Sequence, residues 1–193
     1  MDTYLSMSAP PWQSTPEVSV DAGQDLRWLE RVKNTESEAL KFLYDKYHLG
    51  LYRFLRSSLS REDAEEVVQD VFLTVWRKPN LFRGEASVAS WLFGIAKNLG
   101  RNQARKQKHH LALEENVAAT VSKLPQQLEF EIALQAVRRL PVQEKAVIEL
   151  VYLAELSLQE AALQLRVPLG TVKSRLFAAR EHLRILLGDN HAQ

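Results

Sequence analysis

The 193-residue chain contains no cysteine. That excludes disulfides, thiolate zinc sites and cysteine nucleophiles, and it fits a reducing compartment. No apolar run approaches the roughly 20 residues that a membrane-spanning helix needs, so no membrane insertion is expected. The stretch Met1–Val18 lacks the basic segment and long apolar core of a secretion signal, and a cytoplasmic protein is expected. There is no phosphate-binding glycine loop and no H-E-x-x-H pair, so an enzyme is the least favoured class. His109 and His110 are adjacent. On a helix they point in different directions, and no third ligand accompanies them, so neither a metal nor a cofactor is expected. Nor is charge of either sign in excess: 25 Lys and Arg against 24 Asp and Glu leave a formal net charge of +1.

What is present is a segregation of that charge. Ala86–Leu113 contains no acid but holds Lys97, Arg101, Arg105, Lys106 and Lys108, whereas Glu62, Asp63, Glu65, Glu66 and Asp70 crowd a short segment upstream. Separate blocks of opposite charge suggest separate partners, a polyanion for one and a basic protein surface for the other.

Ser157–Leu187 reads as two helices joined by a tight turn. Ser157 and Glu160 have the spacing of a capping box. Val167-Pro168 breaks the first helix and suits the start of the second. Val172, Leu176, Ala179, Leu183 and Leu186 recur at three- and four-residue steps as its buried stripe. The opposite face carries Thr171, Lys173, Ser174, Arg175, Phe177 and Arg180. Early residues of a second helix are where a helix-turn-helix protein meets base edges and phosphates. The alternative is a helical hairpin with a solvated basic face.

Upstream, residues 1–23 are rich in Ser, Pro and Thr and read as a disordered leader. Asp25–Val32 and Ser37–Leu59 read as helices, the second with a broad stripe of Leu40, Leu43, Tyr44, Tyr47, Leu51, Phe54 and Leu55. Gly50 weakens that stripe and is a candidate bend. Ser60 caps a further helix whose Ala64, Val67, Val68, Val71, Phe72, Val75 and Trp76 share one face. Acids in the first turn suit the helix dipole, which accounts for Glu62 and Asp63 but not for Glu66, Gln69 and Asp70. After a loop with Gly84 at its turn, Ser87 or Ser90 caps a helix to about Lys108. On it Lys97, Arg101, Arg105 and Lys108 form a basic stripe beside Asn98 and Asn102. Cations that track phosphates, with amides and rings nearby for unstacked bases, suit a single strand. A solvated face is the alternative, and Trp91 has the spacing of a core residue. Residues 109–127 read as a linker, 128–188 as a second helical unit with helices Leu128–Arg139 and Val142–Leu153 behind the helix-turn-helix, and 189–193 as a tail.

The segment Leu140–Leu187 resembles the promoter-reading fourth domain of bacterial extracytoplasmic-function (ECF) sigma factors of the sigma-70 family. LuxR-type regulators, which bind duplex DNA by themselves, share part of that pattern and are the alternative. Asp63–Lys78 and Phe82–Gln107 resemble the second domain of the same sigma factors, so the likeness runs from about Leu29 to Leu187. It implies an all-α fold of two small helical domains, 24–108 and 128–188, joined by a flexible linker. It implies a sigma factor that directs core RNA polymerase to promoter DNA in an envelope or stress response, with an anti-sigma factor as a further partner. Carried over by motif, Asp63, Glu66, Gln69 and Asp70 would contact core polymerase. Arg83, Trp91, Lys97, Asn98, Arg101, Asn102 and Arg105 would line the −10 strand, and the residues Thr171 to Arg180 named above would meet the −35 duplex. Three positions depart from the family pattern. Gly94 stands where a larger, often basic residue is usual, Ala178 where some relatives have arginine, and Arg166 where a turn glycine is usual.

Overall fold

The computed structural model describes residues 22–111 and 125–188, with side chains for 23–106 and 128–188. The leader up to Asp21, most of the linker and the tail therefore lie outside the described residues, as do the side chains of His109 and His110. Eight α-helices and two short turns of other helix types are present, with no strand among the described residues: α1 (Ala22–Lys33), α2 (Ser37–Arg56), α3 (Arg61–Arg77), a 3₁₀ turn (Pro79–Leu81), α4 (Val88–Leu111), α5 (Pro125–Arg139), α6 (Val142–Ile148), a π-turn (Glu149–Leu153), α7 (Leu158–Leu165) and α8 (Leu169–Gly188).

In the first half α2 is the central element. α1 runs back along it: Asp25, near the start of α1, is buried against Lys46 (2.6 Å) and the Tyr47 hydroxyl, while Arg31, near its end, pairs with Glu36 (2.8 Å). α3 packs on α2, and α4 packs against both. The expected stripes supply the core: Leu43, Leu51, Phe54 and Leu55 from α2, and Ala64, Val67, Val68, Val71, Phe72 and Val75 from α3. Truncating one fully buried leucine such as Leu43 to alanine costs about 2–5 kcal/mol in transfer and cavity terms. Tyr44 departs from its expected core position. It is 40% exposed, stacks on His48 and leans on Phe72.

The caps explain where helices begin. The Ser60 hydroxyl accepts from the Asp63 amide at 3.1 Å, and the Ser87 hydroxyl accepts from the Ser90 amide at 3.1 Å, which makes Ser87 the cap of α4. Ser157 and Glu160 form the full capping box. α2 continues unbroken through Gly50, so Gly50 is not a bend. A Cβ there would lie 3.4 Å from Phe93 and 3.5 Å from the Leu153 carbonyl. Gly100 lets α4 cross α2, since a Cβ would stand only 2.8 Å from Leu55.

In the second half α8 lies across α5, α6 and α7, with Val172, Leu176, Ala179 and Leu183 buried. Arg166 ends α7 with φ 54° and ψ 46°, the left-handed conformation that glycine adopts freely. An L-residue there carries a cost of about 1 kcal/mol.

Candidate nucleic-acid and polymerase interfaces

Three surfaces hold the residues singled out by sequence. On α3, Glu66, Gln69 and Asp70 are exposed one turn apart. Asp63 is not presented in the same way. One carboxylate oxygen accepts from Ser60 (2.6 Å) and the other from the Gln103 amide of α4 (2.7 Å). It holds the start of α3 and ties α3 to α4. Beside Gln69 an apolar groove of about 410 Å3 is lined by Leu40, Tyr44, Phe72, Leu73 and Trp76.

On α4, Lys97, Asn98, Arg101, Asn102 and Arg105 are all exposed. Their spacing places them along one face, as the 3.6-residue period requires. Trp91 is half-buried, edge-on to Phe82 at 5.4 Å, and packs against the core. Arg83 is exposed in the preceding loop, where Gly84 takes φ 75°. A Cβ built at Gly94 meets nothing within 4 Å, so a side chain there would have open space.

On α8, Lys173 and Ser174 are exposed and Phe177 is 70% exposed, while Thr171, Arg175 and Arg180 are half-buried. The Ser174 hydroxyl bonds back to the Thr171 carbonyl at 3.1 Å. Arg180 is held from behind: its Nε donates to the Tyr152 hydroxyl at 2.7 Å, and the guanidinium lies 5.7 Å from that ring. Tyr152 belongs to the π-turn and did not stand out in the sequence. It is a positioning residue for α8, and no local spacing could have revealed a partner 28 residues away. Glu149, in the same turn, was also missed. Its signal was present: a lone carboxylate inside the apolar run Val147–Val151. Burial pushes its pKa up, opposed by a hydrogen bond from Ser57 and by the charges of Lys145 and Lys97.

Two families match the two halves: Sigma-70 region 2 over residues 43–110 and Sigma-70 region 4 over residues 130–183. The ECF RNA polymerase sigma factor SigM of Mycobacterium tuberculosis is 36% identical over 148 residues, 76% of each chain. This chain belongs to the ECF sigma factors. Two further relatives agree. The ECF sigma-E factor of Haemophilus influenzae is 30% identical over 174 residues, covering 81% of this chain and 92% of that one. SigW of Bacillus subtilis is 30% identical over 178 residues, covering 83% and 95%. Among solved structures, the sigma factor RpoE from Bartonella quintana, in complex with the anti-sigma factor NepR, superposes with a TM-score of 0.59 at 28% identity. It covers 77% of this chain and 96% of that one. The fold is also shared by CnrH, solved with the cytosolic domain of CnrY, at a TM-score of 0.68 and 23% identity over 86% and 98%. The ECF sigma factor is thus a promoter-directing subunit of RNA polymerase with an all-α fold. The region 2 match in the first half disfavours the LuxR-type alternative. No helix among the described residues is long and apolar enough to cross a membrane.

Proposed function

We propose that this sigma factor divides promoter recognition between α4 and α8 and keeps the acidic face of α3 for core polymerase. The observation that carries this reading is the pair of exposed basic faces on two separately matched regions. α4 offers Lys97, Arg101 and Arg105 with Asn98 and Asn102 between them, and α8 offers Lys173, Ser174 and Phe177. Arginine and lysine suit phosphates and guanine edges. The unpaired cations and amides of α4 suit the displaced −10 strand, with Arg83 and the loop to Ser87 beside it. Trp91 serves this surface by holding the loop through Phe82. On α8 the helix start lies in the −35 major groove and Arg175 reaches phosphate, with Arg180 steadied by Tyr152. Glu66, Gln69 and Asp70 meet the polymerase, and Asp63 keeps their helix in place.

The factor acts in the cytoplasm, has no catalytic activity of its own and needs no cofactor. An anti-sigma factor is its regulator, a reading supported by the RpoE–NepR likeness. The domains run from 24 to 108 and from 128 to 188. Run-off transcription with core polymerase tests the whole: promoter-specific initiation is expected on at least one genomic template. Its absence on all of them sinks the reading.

A further inference from the structure

Three glycines lie inside helices rather than in their end turns: Gly50 of α2, and Gly94 and Gly100 of α4. After proline, glycine is the residue that least favours a helix interior, so each of them needs a reason. For two the reason is packing. A Cβ at Gly50 would press on Phe93 and the Leu153 carbonyl, and one at Gly100 would overlap Leu55. Gly94 has no such neighbour. It is half-buried, yet a Cβ built on it meets nothing within 4 Å. Nor does its backbone demand glycine, since among the described glycines only Gly84 has a positive φ. No contact within the described chain accounts for the missing side chain.

Its position supplies the reason. With 3.6 residues per turn, successive side chains stand about 100° apart around the axis. Gly94 then falls within roughly 20° of both Arg101 and Arg105, on the midline of the basic stripe and one turn before Lys97 and Asn98. Helical side chains lean toward the N-terminus, so Asn98 leans over the turn that holds Gly94. Asn98 is exposed, and no hydrogen bond engages its amide among the described residues. On the other side, nearly one turn before Gly94, stands Trp91, its ring held edge-on by Phe82. At 1.5 Å of rise per residue, Trp91 and Asn98 are about 10 Å apart along the axis. The stripe therefore has a notch: bare helix backbone for a floor, an indole at one end and a carboxamide at the other.

We infer that this notch takes one unstacked base of the −10 strand, and that Gly94 determines which base is accepted by leaving the room for it. The inference rests on the assignment of α4 to that strand. A base is about 3.4 Å thick, the stacking distance in a duplex, so the space between Trp91 and Asn98 holds one base and not several. Laid on the bare backbone, it has its ring against the indole and its polar edge toward the amide. Stacking is indifferent to base type. The amide is not: it both donates and accepts, and it meets adenine with two bonds. Lys97, Arg101 and Arg105 hold phosphates on either side, which positions the strand but carries no sequence information. A side chain at position 94 would take the place of the base. Alanine removes the closest approach, and leucine fills the notch.

Single-strand binding separates this contact from the charge around it. The probes are oligo(dA), oligo(dT) and an abasic oligonucleotide of equal length. They are added to holoenzyme reconstituted from the full chain, with core polymerase alone as the blank. Native holoenzyme should bind oligo(dA) most tightly and the abasic strand least. Gly94→Leu should weaken oligo(dA) about tenfold and leave the abasic affinity and the salt slope as they were, because no phosphate contact is lost. Gly94→Ala should weaken oligo(dA) several-fold while raising the free chain's thermal midpoint by about 2–4 °C, since alanine favours the helix. Better folding with poorer binding is an outcome that a merely structural glycine does not give. Equal affinity of the native protein for base-bearing and abasic strands overturns the notch. So does a Gly94→Leu protein that binds oligo(dA) like the native one, or that loses all three probes alike. If joint replacement of Lys97, Arg101 and Arg105 by alanine weakens every probe and Gly94→Leu none, the notch falls and the assignment of α4 stands. If neither replacement changes anything, both fall.

Discussion

α4 and α8 are both basic, yet they present their charge differently. Among the described residues no hydrogen bond or ion pair engages Arg101 or Arg105, and the stripe carries no acid. On α8 the holding is selective: Arg180 is fixed by Tyr152, Ser174 by the Thr171 carbonyl, His182 by Glu144 and Arg184 by Glu181, while among the described residues no hydrogen bond or ion pair engages Lys173 or Arg175. A flexible strand has no fixed phosphate positions, so loose cations that follow it suffice. A duplex presents base edges in a fixed register, which rewards side chains already held in place. On the proposed assignment the difference lies in Arg180, which Tyr152 holds from behind, whereas no arginine of the α4 stripe is so held among the described residues.

That contrast can be broken at several points. The largest effect is expected from replacing Lys97, Arg101 and Arg105 together by alanine. Strand binding should lose about two units of salt slope, at roughly 0.7 per phosphate contact, and initiation should fall at least a hundredfold in a run-off assay. An unchanged slope would show that the stripe is merely solvated. Next, Lys173→Ala with Arg175→Ala should lower −35 duplex affinity and reduce the slope by about 0.9 for each phosphate lost, read by fluorescence anisotropy across a salt series. Tyr152→Phe should be milder. It removes one hydrogen bond to a charged group, worth about 1.5–3 kcal/mol at most, so duplex affinity should drop several-fold while strand binding by α4 stays level.

The smallest effect concerns pH. Glu149 holds its proton more tightly when the halves are docked, because its pKa is raised there. Docking therefore gains as pH falls through that raised value and is weakened above it. The groups facing it are Ser57, Lys145 and Lys97. Glu160 acts oppositely. Its contribution is present above the ordinary carboxylate pKa and lost as pH falls through its lowered value. With one spin label on each half, the halves should sit closer on mild acidification, and Glu149→Gln should abolish that response. A distance distribution that ignores pH in both proteins would show that Glu149 does not couple docking to pH.

Much of the fold was legible because caps and stripes are local. Ser60 and Ser157 each meet a capping partner three residues on, and the stripes of α3 and α8 repeat at the helical period. Even the departure at Arg166 was readable as a demand on the backbone, and the left-handed turn shows that arginine tolerates it. What escaped has one physical cause. Periodicity tells which side of a helix avoids water, not which distant group meets a polar tip. Gln103 lies 40 residues from Asp63, and Glu160 lies 73 from Ser87. Each pairing adds a structural role to a residue that the sequence offered as a surface contact or a simple cap. Tyr44 failed in the other direction: an aromatic on the apolar side still lies at the rim, where the stripe meets solvent.

At Gly50 the contact between the halves is backbone against backbone, with space for one methyl group and little more. An alanine would fit there, and by favouring α2 would stiffen it by about 1 kcal/mol. A leucine would act as a shim, driven between Phe93 and the Leu153 carbonyl and leaving the molecule permanently ajar. A single glycine so placed makes the spacing of the two halves adjustable by one side chain, without altering a basic residue of α4 or α8.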